Sequence, residues 1–439
     1  MMTLDTLLSQ FGAEHKCLKT ACELVTVREL RERSARLRKN LIQAQGSCVV
    51  LCVQSPLTLI EALVALDGFS RAIFLLPYGL DSDIEQRLIE AAQCDYRLED
   101  KGNLTPLRAQ LTSTELNRLP TQWLMATSGT TGVPKIVAHT FDSLTRTMKR
   151  DTSCGSSYTW GLMYDPSRFA GLQVVLQSLI GGSCLAVPSS LVFEVQVTAL
   201  LKQQVNALSA TPSLWRKLLM DGRVFDLTMT QITLGGESVD QSLLDGLRHK
   251  FPAARITHIY ASTEAGAAFA VNDCLAGFPA KWLNSAAAPV PLRINDYGHL
   301  LIKPAVLAQG VEIQSRLDAS GYLDTQDMVR QLDDRVFFLG RASGAINVGG
   351  NKVHPEEVEN LIREIPEVLD VCVFGKSNSL MGQLVAAELV IADGTDPKVL
   401  RPKIYGHCRA KLEAWQCPAF VTVIDQLQET VAGKRERIN

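Results

Sequence analysis

Nine consecutive positions, Thr127 to Lys135, carry four hydroxyls (Thr127, Ser128, Thr130 and Thr131), two glycines (Gly129 and Gly132) and one cation, Lys135. Hydroxyls donate hydrogen bonds, glycines let the backbone come close, and a lysine adds fixed charge, so the run has the parts of an anion cradle, most naturally for phosphates. The apolar "WLMA" before it and "DSLTRTMKR" after it predict a loop joining a strand to a helix. It is not a Walker-type loop, because no Ser or Thr follows Lys135 and Pro134 precedes it. An ordinary surface loop can share this composition. Other segments must decide.

Four do. "IYASTEAG" places Tyr260, Thr263 and the carboxylate of Glu264 after a strand-like run, a set suited to Mg²⁺ and phosphate contacts. "GYLDTQD" puts Asp327 at a strand end, where a carboxylate can accept both hydroxyls of a ribose. "GRASGAINVGGNKVHPEEVE" offers Arg341 beside a glycine-rich joint, and "ETVAGKRER" offers Lys434 on a tail.

The elements that must position these groups follow an α/β pattern. Short β-rich runs ("SCVVLCV", "RAIFLLP") alternate with helical ones ("PLTLIEALVALDGFS", "DSDIEQRLIEAAQ"), which predicts parallel strands joined by crossover helices. From about residue 290 close turns separate short strands, and from about 345 helix and strand alternate again. The expected organisation is a large N-terminal domain over 1–341 and a small α+β C-terminal domain over 342–439, hinged at 341–344.

The 439 residues hold enough apolar material for a large core, and a formal charge of −2 supplies no field for nucleic acid or an anionic membrane. No apolar run is long enough to span a bilayer and the N-terminus lacks a signal-peptide pattern, so a cytoplasmic location is expected. The eleven cysteines contain no CxxC pair and read as reduced core thiols. The seven histidines show no metal spacing; His139 and His354 are expected to serve structure, and Trp215 the core.

In order and spacing the five segments together resemble the adenylate-forming superfamily of acyl- and aryl-CoA synthetases, nonribosomal adenylation domains and luciferases. The likeness rests on "TSGTTGVPK", on Tyr260, Thr263 and Glu264, on Asp327, on Gly340 and Arg341, and on Gly433, Lys434 and Arg437. It implies an ATP-dependent ligase that joins a small carboxylic acid, aromatic in the leading reading, to AMP and then passes the acyl group to a pantetheine thiol. That thiol belongs to CoA or to the phosphopantetheine of a free-standing acyl carrier protein.

By the same resemblance Thr127 to Lys135 would hold the β- and γ-phosphates and Glu264 would bind Mg²⁺. Thr263 would touch the α-phosphate, and Lys434 would bridge carboxylate and α-phosphate. Tyr260 with Gly235, Gly236 and Glu237 of "GGES" would meet the adenine, and Asp327 and Arg341 the ribose. "NVGGNKVHPEEVE" resembles the segment that reaches the pantetheine channel once the small domain rotates, with Ser343 at the hinge position. The family's usual glycines give way to Ala261 and Gln326.

The acyl pocket is expected to draw on Arg168, Phe169 and Gly171 of "YDPSRFAGLQ", on Gly235 and on His258. Arg168 has two readings, a surface residue capping its loop or a cation beside the bound acid. His258 either faces the pocket or is a satisfied half-buried histidine. A ligase for fatty acids, a phosphate-loop kinase or ATPase, and a non-catalytic nucleotide-binding regulator are the competing functions; the oligomeric state is left open.

Overall fold

The structure, a computed structural model, describes residues 2–108, 120–127, 135–148, 152–153 and 155–428. Its first sheet runs Leu104–Pro106, Tyr96–Glu99, Cys48–Cys52, Ala72–Leu75, Gln122–Thr127, Lys135–Thr140. The middle four strands are parallel, and helices Pro56–Leu66 and Ser82–Ala91 make the crossovers that the alternating pattern predicts. Each helix start is fixed locally: Ser55 accepts from Thr58 N ahead of Pro56, and Asp81 accepts from Asp83 N.

The sequence predicts a loop running on to the helix that opens at "DSLTRTMKR"; a helix does begin there, at Phe141, but residues 135–140 before it differ from the expected loop. Gln122–Thr127 and Lys135–Thr140 form an antiparallel pair in which Thr127 faces Lys135, so the loop joins strand to strand. "KIVAHT" alternates, burying Val137 and His139, and this period-two pattern with three β-branched residues favours strand. The helix waits until Phe141, capped by Thr140 and Ser143.

A second, eight-stranded sheet carries Thr159–Gly161, Ala207–Ala210, Gln231–Gly235 and Arg255–Ser262 as parallel neighbours, with Gly266–Val271 turning back antiparallel. Trp215 is fully buried against it and donates its indole N–H to Thr233 O at 3.0 Å, as a core residue should. Strands Phe278–Pro279, Arg335–Arg341, Leu323–Leu332, His299–Ile302 and Leu292–Ile294 form a third, antiparallel sheet.

Beyond it, Ile346–Val348, Asn351–Val353, Val368–Asn378, Gly382–Ile391 and Phe420–Val423 form a fourth sheet, packed with helices Pro355–Ile362 and Pro397–Lys411 around their own apolar core. The chain is thus mixed α/β, with a large N-terminal and a small C-terminal domain. Among the described residues no helix is long and apolar enough to cross a membrane.

The small domain meets the large one through buried charge. Arg216 pairs with Asp240 on the large-domain side. Arg363, at the end of Pro355–Ile362, lies 3.8 Å from Asp240, 3.8 Å from Asp370 and 3.1 Å from Glu359. Clustering alternate charges in this way satisfies groups that would be costly to bury singly.

The helix Phe169–Ile180 borders the cleft between these parts, and Gly171 sets how close it can lie. A Cβ there would stand 2.1 Å from the carbonyl oxygen of Asp165. Backbone must shift to admit any side chain. Gly171→Ala is therefore expected to lower stability by about 1–3 kcal/mol, read as a fall in the denaturant midpoint; an unchanged midpoint would show that the helix has room to move.

Candidate active site

One cleft of about 1760 Å³ is lined by residues from the first, second and third sheets and from the small domain. Thr127, Tyr260, Thr263, Glu264, Asp327 and Arg341 all line it, as do Arg168, Phe169, Gly171, His258, Gly235, Gly236 and Glu237. Ser128, Gly129, Thr130, Thr131, Gly132, Gly433, Lys434 and Arg437 lie outside the described residues. Lys135 is half-buried at the first residue of its strand. Residues as far apart in sequence as Thr127 and Arg341 therefore share one surface.

Tyr260 and Asp327 define the middle of the cleft. The phenol donates to Asp327 Oδ2 at 2.5 Å, and its ring stacks with Phe269 and Phe338 at 5.1 and 4.9 Å. Burial, reinforced by the Asp327 charge, pushes the phenol well above its usual pKa, so it remains a donor. Arg341 faces Asp327 across the Leu323–Leu332/Arg335–Arg341 pair, with Nε 3.4 Å from Oδ1. Gln326 holds a φ of +62°, a left-handed conformation that glycine adopts freely, which suits the glycine that the resemblance implies at this position.

Gly340, at φ +114°, packs against the small domain: a Cβ would lie 2.1 Å from the Glu356 carboxylate. The Gly-Arg pair of the resemblance thus combines a close approach with a charge directed at Asp327. Gly344 follows in the short turn Ala342–Gly344, with open space where a Cβ would be.

Thr263 and Glu264 sit in the turn between Arg255–Ser262 and Gly266–Val271. Burial opposes ionisation of Glu264, but its own backbone N–H and the Arg316 and Arg341 guanidiniums outweigh this and hold the carboxyl below the usual range. Arg316 Nη2 donates to Glu264 Oε1 at 3.2 Å. An ionised carboxylate on the cleft wall fits Mg²⁺, which commonly takes one or two carboxylates and completes its shell with phosphate oxygens and water. Among the described residues no group of three or more His, Cys, Asp or Glu could hold a metal by itself.

The "GGES" turn divides between two tasks. Gly236 adopts φ +83°, and the Gly235 carbonyl accepts from Tyr164 at 3.5 Å. The Glu237 carboxylate accepts from Ser213 N at 3.0 Å and Ser213 Oγ at 2.8 Å, which caps the helix Pro212–Asp221. Its side chain fixes the turn.

Arg168 is three-quarters buried and precedes the helix Phe169–Ile180 without capping it through its side chain. It is thus not a surface residue. Its Nε is 3.6 Å from Asp165 Oδ2, beyond hydrogen-bonding distance, and has no hydrogen-bond partner. Desolvation lowers the guanidinium's pKa from its very high starting value, a sign that the charge is under-solvated. His258 lies 3.0 Å from the Leu275 carbonyl through Nε2, and burial pushes its pKa down. Those partners favour the satisfied, neutral histidine.

Two contacts had no signal in the sequence. Arg316 lies on no motif, and His139 reads as a lone histidine; both touch the Thr263–Glu264 turn.

With this geometry in view, comparison with known proteins defines the class. The AMP-binding enzyme family matches residues 120–294, and the AMP-binding enzyme C-terminal domain matches 357–434. Together they span more than half of the chain, which belongs to this family. A 2-succinylbenzoate–CoA ligase of Listeria innocua is 25% identical over 72% of this chain and 68% of its own length. A human mitochondrial acyl-coenzyme A synthetase is 24% identical over 86% of this chain and 70% of its own. The fold matches that of an anthranilate CoA ligase in complex with anthranoyl-AMP, with a TM-score of 0.78 at 15% identity over 99% of this chain and 95% of that one.

The position of Arg168 generates a test. Arg168→Ala should raise the KM for the acid about tenfold, the equivalent of ~1.4 kcal/mol, while leaving that for ATP unchanged. Unaltered kinetics for both substrates would return Arg168 to a purely structural part.

Proposed function

We propose that this chain activates a small carboxylic acid with ATP as an acyl-adenylate, releases pyrophosphate, and transfers the acyl group to a pantetheine thiol. The observation that carries this is the convergence on one cleft of Tyr260, Asp327 and Arg341 with the Thr263–Glu264 turn and the helix that follows Arg168. The named substrates of the relatives, 2-succinylbenzoate and anthranilate, support an aromatic acid.

In this reading Asp327 and Arg341 hold the ribose, with Asp327 oriented by Tyr260. Backbone groups of Gly235 and Gly236 face the adenine. Thr127 to Lys135 cradle the β- and γ-phosphates, and Thr263 touches the α-phosphate. The first step brings one anion onto another, so positive charge and alignment carry most of the rate. Glu264 would hold Mg²⁺, which when bound would supply charge neutralisation for the phosphates. Lys434 bridges the acid's carboxylate and the α-phosphate. We place the joint at 341–344, between 1–341 and 342–439. Movement about it withdraws Lys434 and brings the segment 347–359 to the thiol channel. CoA and a carrier-borne phosphopantetheine present the same arm.

ATP–pyrophosphate exchange across benzoates, cinnamates and short to medium fatty acids tests the reading. Exchange is expected with at least one aromatic acid, with AMP and not ADP as the nucleotide product. Release of ADP, or no exchange with any acid, would contradict it.

A further inference from the structure

His139 lies on the strand Lys135–Thr140, which leaves the hydroxyl-rich loop, and is only 3% exposed. Its Nε2 is 2.6 Å from the Thr263 carbonyl oxygen, and its Nδ1 is 3.0 Å from Ser143 Oγ. A carbonyl accepts only, so Nε2 bears the hydrogen. Burial pushes the imidazole's pKa below its usual value, outweighing the Thr263 carbonyl and the nearby Glu264 charge. The ring is therefore neutral, with Nδ1 open to the Ser143 hydroxyl. Ser143 is itself held at the start of the helix Phe141–Thr145, where Thr140 N donates to its Oγ at 3.0 Å. On its other flank the ring packs 5.8 Å from Phe169.

One side chain thus touches three parts of the cleft. It stands on the strand from the phosphate loop, bonds the turn that carries Thr263 and Glu264, and packs on the first residue of the pocket helix. The turn's next carbonyl, of Glu264, accepts from Ala308 N at 2.9 Å, so two hydrogen bonds fix successive peptides. Of the two, only the bond from His139 ties the turn to the strand bearing Lys135.

We propose that His139 is a positioning residue for adenylate formation: its Nε2–H bond to Thr263 O sets the position of the Thr263–Glu264 turn relative to the strand Lys135–Thr140. The proposal rests on the adenylating activity proposed above. Its chemistry is that of alignment. Hydrogen-bonded partners that orient ligand-binding groups typically affect activity ~10–100-fold, and a displacement of about 1 Å at a reacting centre can cost ~100-fold.

Two substitutions separate the hydrogen bond from the packing. His139→Phe keeps a ring against Phe169 and removes the donor; His139→Gln loses the ring but can place an amide N–H near the Nε2 position. Both are assayed as the full chain, with wild type, for ATP–pyrophosphate exchange and for thioester formation from supplied acyl-adenylate. His139→Phe is expected to lower kcat for exchange ~10–100-fold, with the acid's KM and thioester formation within about twofold. His139→Gln should restore most of the exchange.

Equal losses in the two variants, or a parallel fall of both half-reactions, would reduce His139 to general packing and overturn the proposal. Full exchange in His139→Phe would also overturn it. A wild-type chain with no exchange but intact thioester formation would instead refute the adenylating reading itself, so the two failures are distinguishable.

Discussion

The hydrogen bond from Tyr260 to Asp327 joins the second sheet to the third, and the geometry of the cleft depends on it. The two residues come from strands with no shared ladder, so nothing in the backbone of either sheet fixes their separation. The phenol supplies that link. A half-buried carboxylate needs compensation, and Asp327 receives it from Tyr260 on one side and Arg341 on the other. Arg341 is also the last residue of its strand before the turn to the small domain. The group assigned to the ribose is thus held between the body of the large domain and the start of the joint.

Charge dominates where the two domains touch. Arg216, Asp240, Glu359, Arg363 and Asp370 all have side chains at least nine-tenths buried in the present arrangement. Ion pairs of this kind contribute little net stability compared with an apolar interface of the same area. Their advantage is that water can take each charge back when the surfaces part, whereas a separated apolar interface would leave a patch prone to association. This suits a small domain with its own core, whose proposed task requires leaving and returning.

Much of this was legible in the sequence because it depended on local pattern. "SCVVLCV" and "RAIFLLP" became adjacent parallel strands, and the helices between strands fell where apolar periodicity put them. The family likeness placed Tyr260, Asp327, Arg341, Thr263 and Glu264, which share the cleft. The strand before this helix is hard to see because "DSLTRTMKR" carries its helix-start signal only two residues beyond Thr140, while "KIVAHT" shows just one short stretch of alternation.

Side-chain partners set by tertiary contact were not legible. Nothing in one dimension tells that Glu237 turns back to cap Pro212–Asp221, or that Arg316 reaches Glu264, fifty-two positions earlier. His139 is the clearest case, since its significance comes from a carbonyl 124 positions away. The most direct test of the central claim is a double-mutant cycle on AMP affinity, measured calorimetrically for Tyr260→Phe, Asp327→Asn and the double variant. The account predicts strong coupling, with the double variant little weaker than Asp327→Asn alone and an interaction energy of about 1 kcal/mol or more. Losses that add to within about 0.3–0.5 kcal/mol would mean that Tyr260 and Asp327 act separately, and would contradict it.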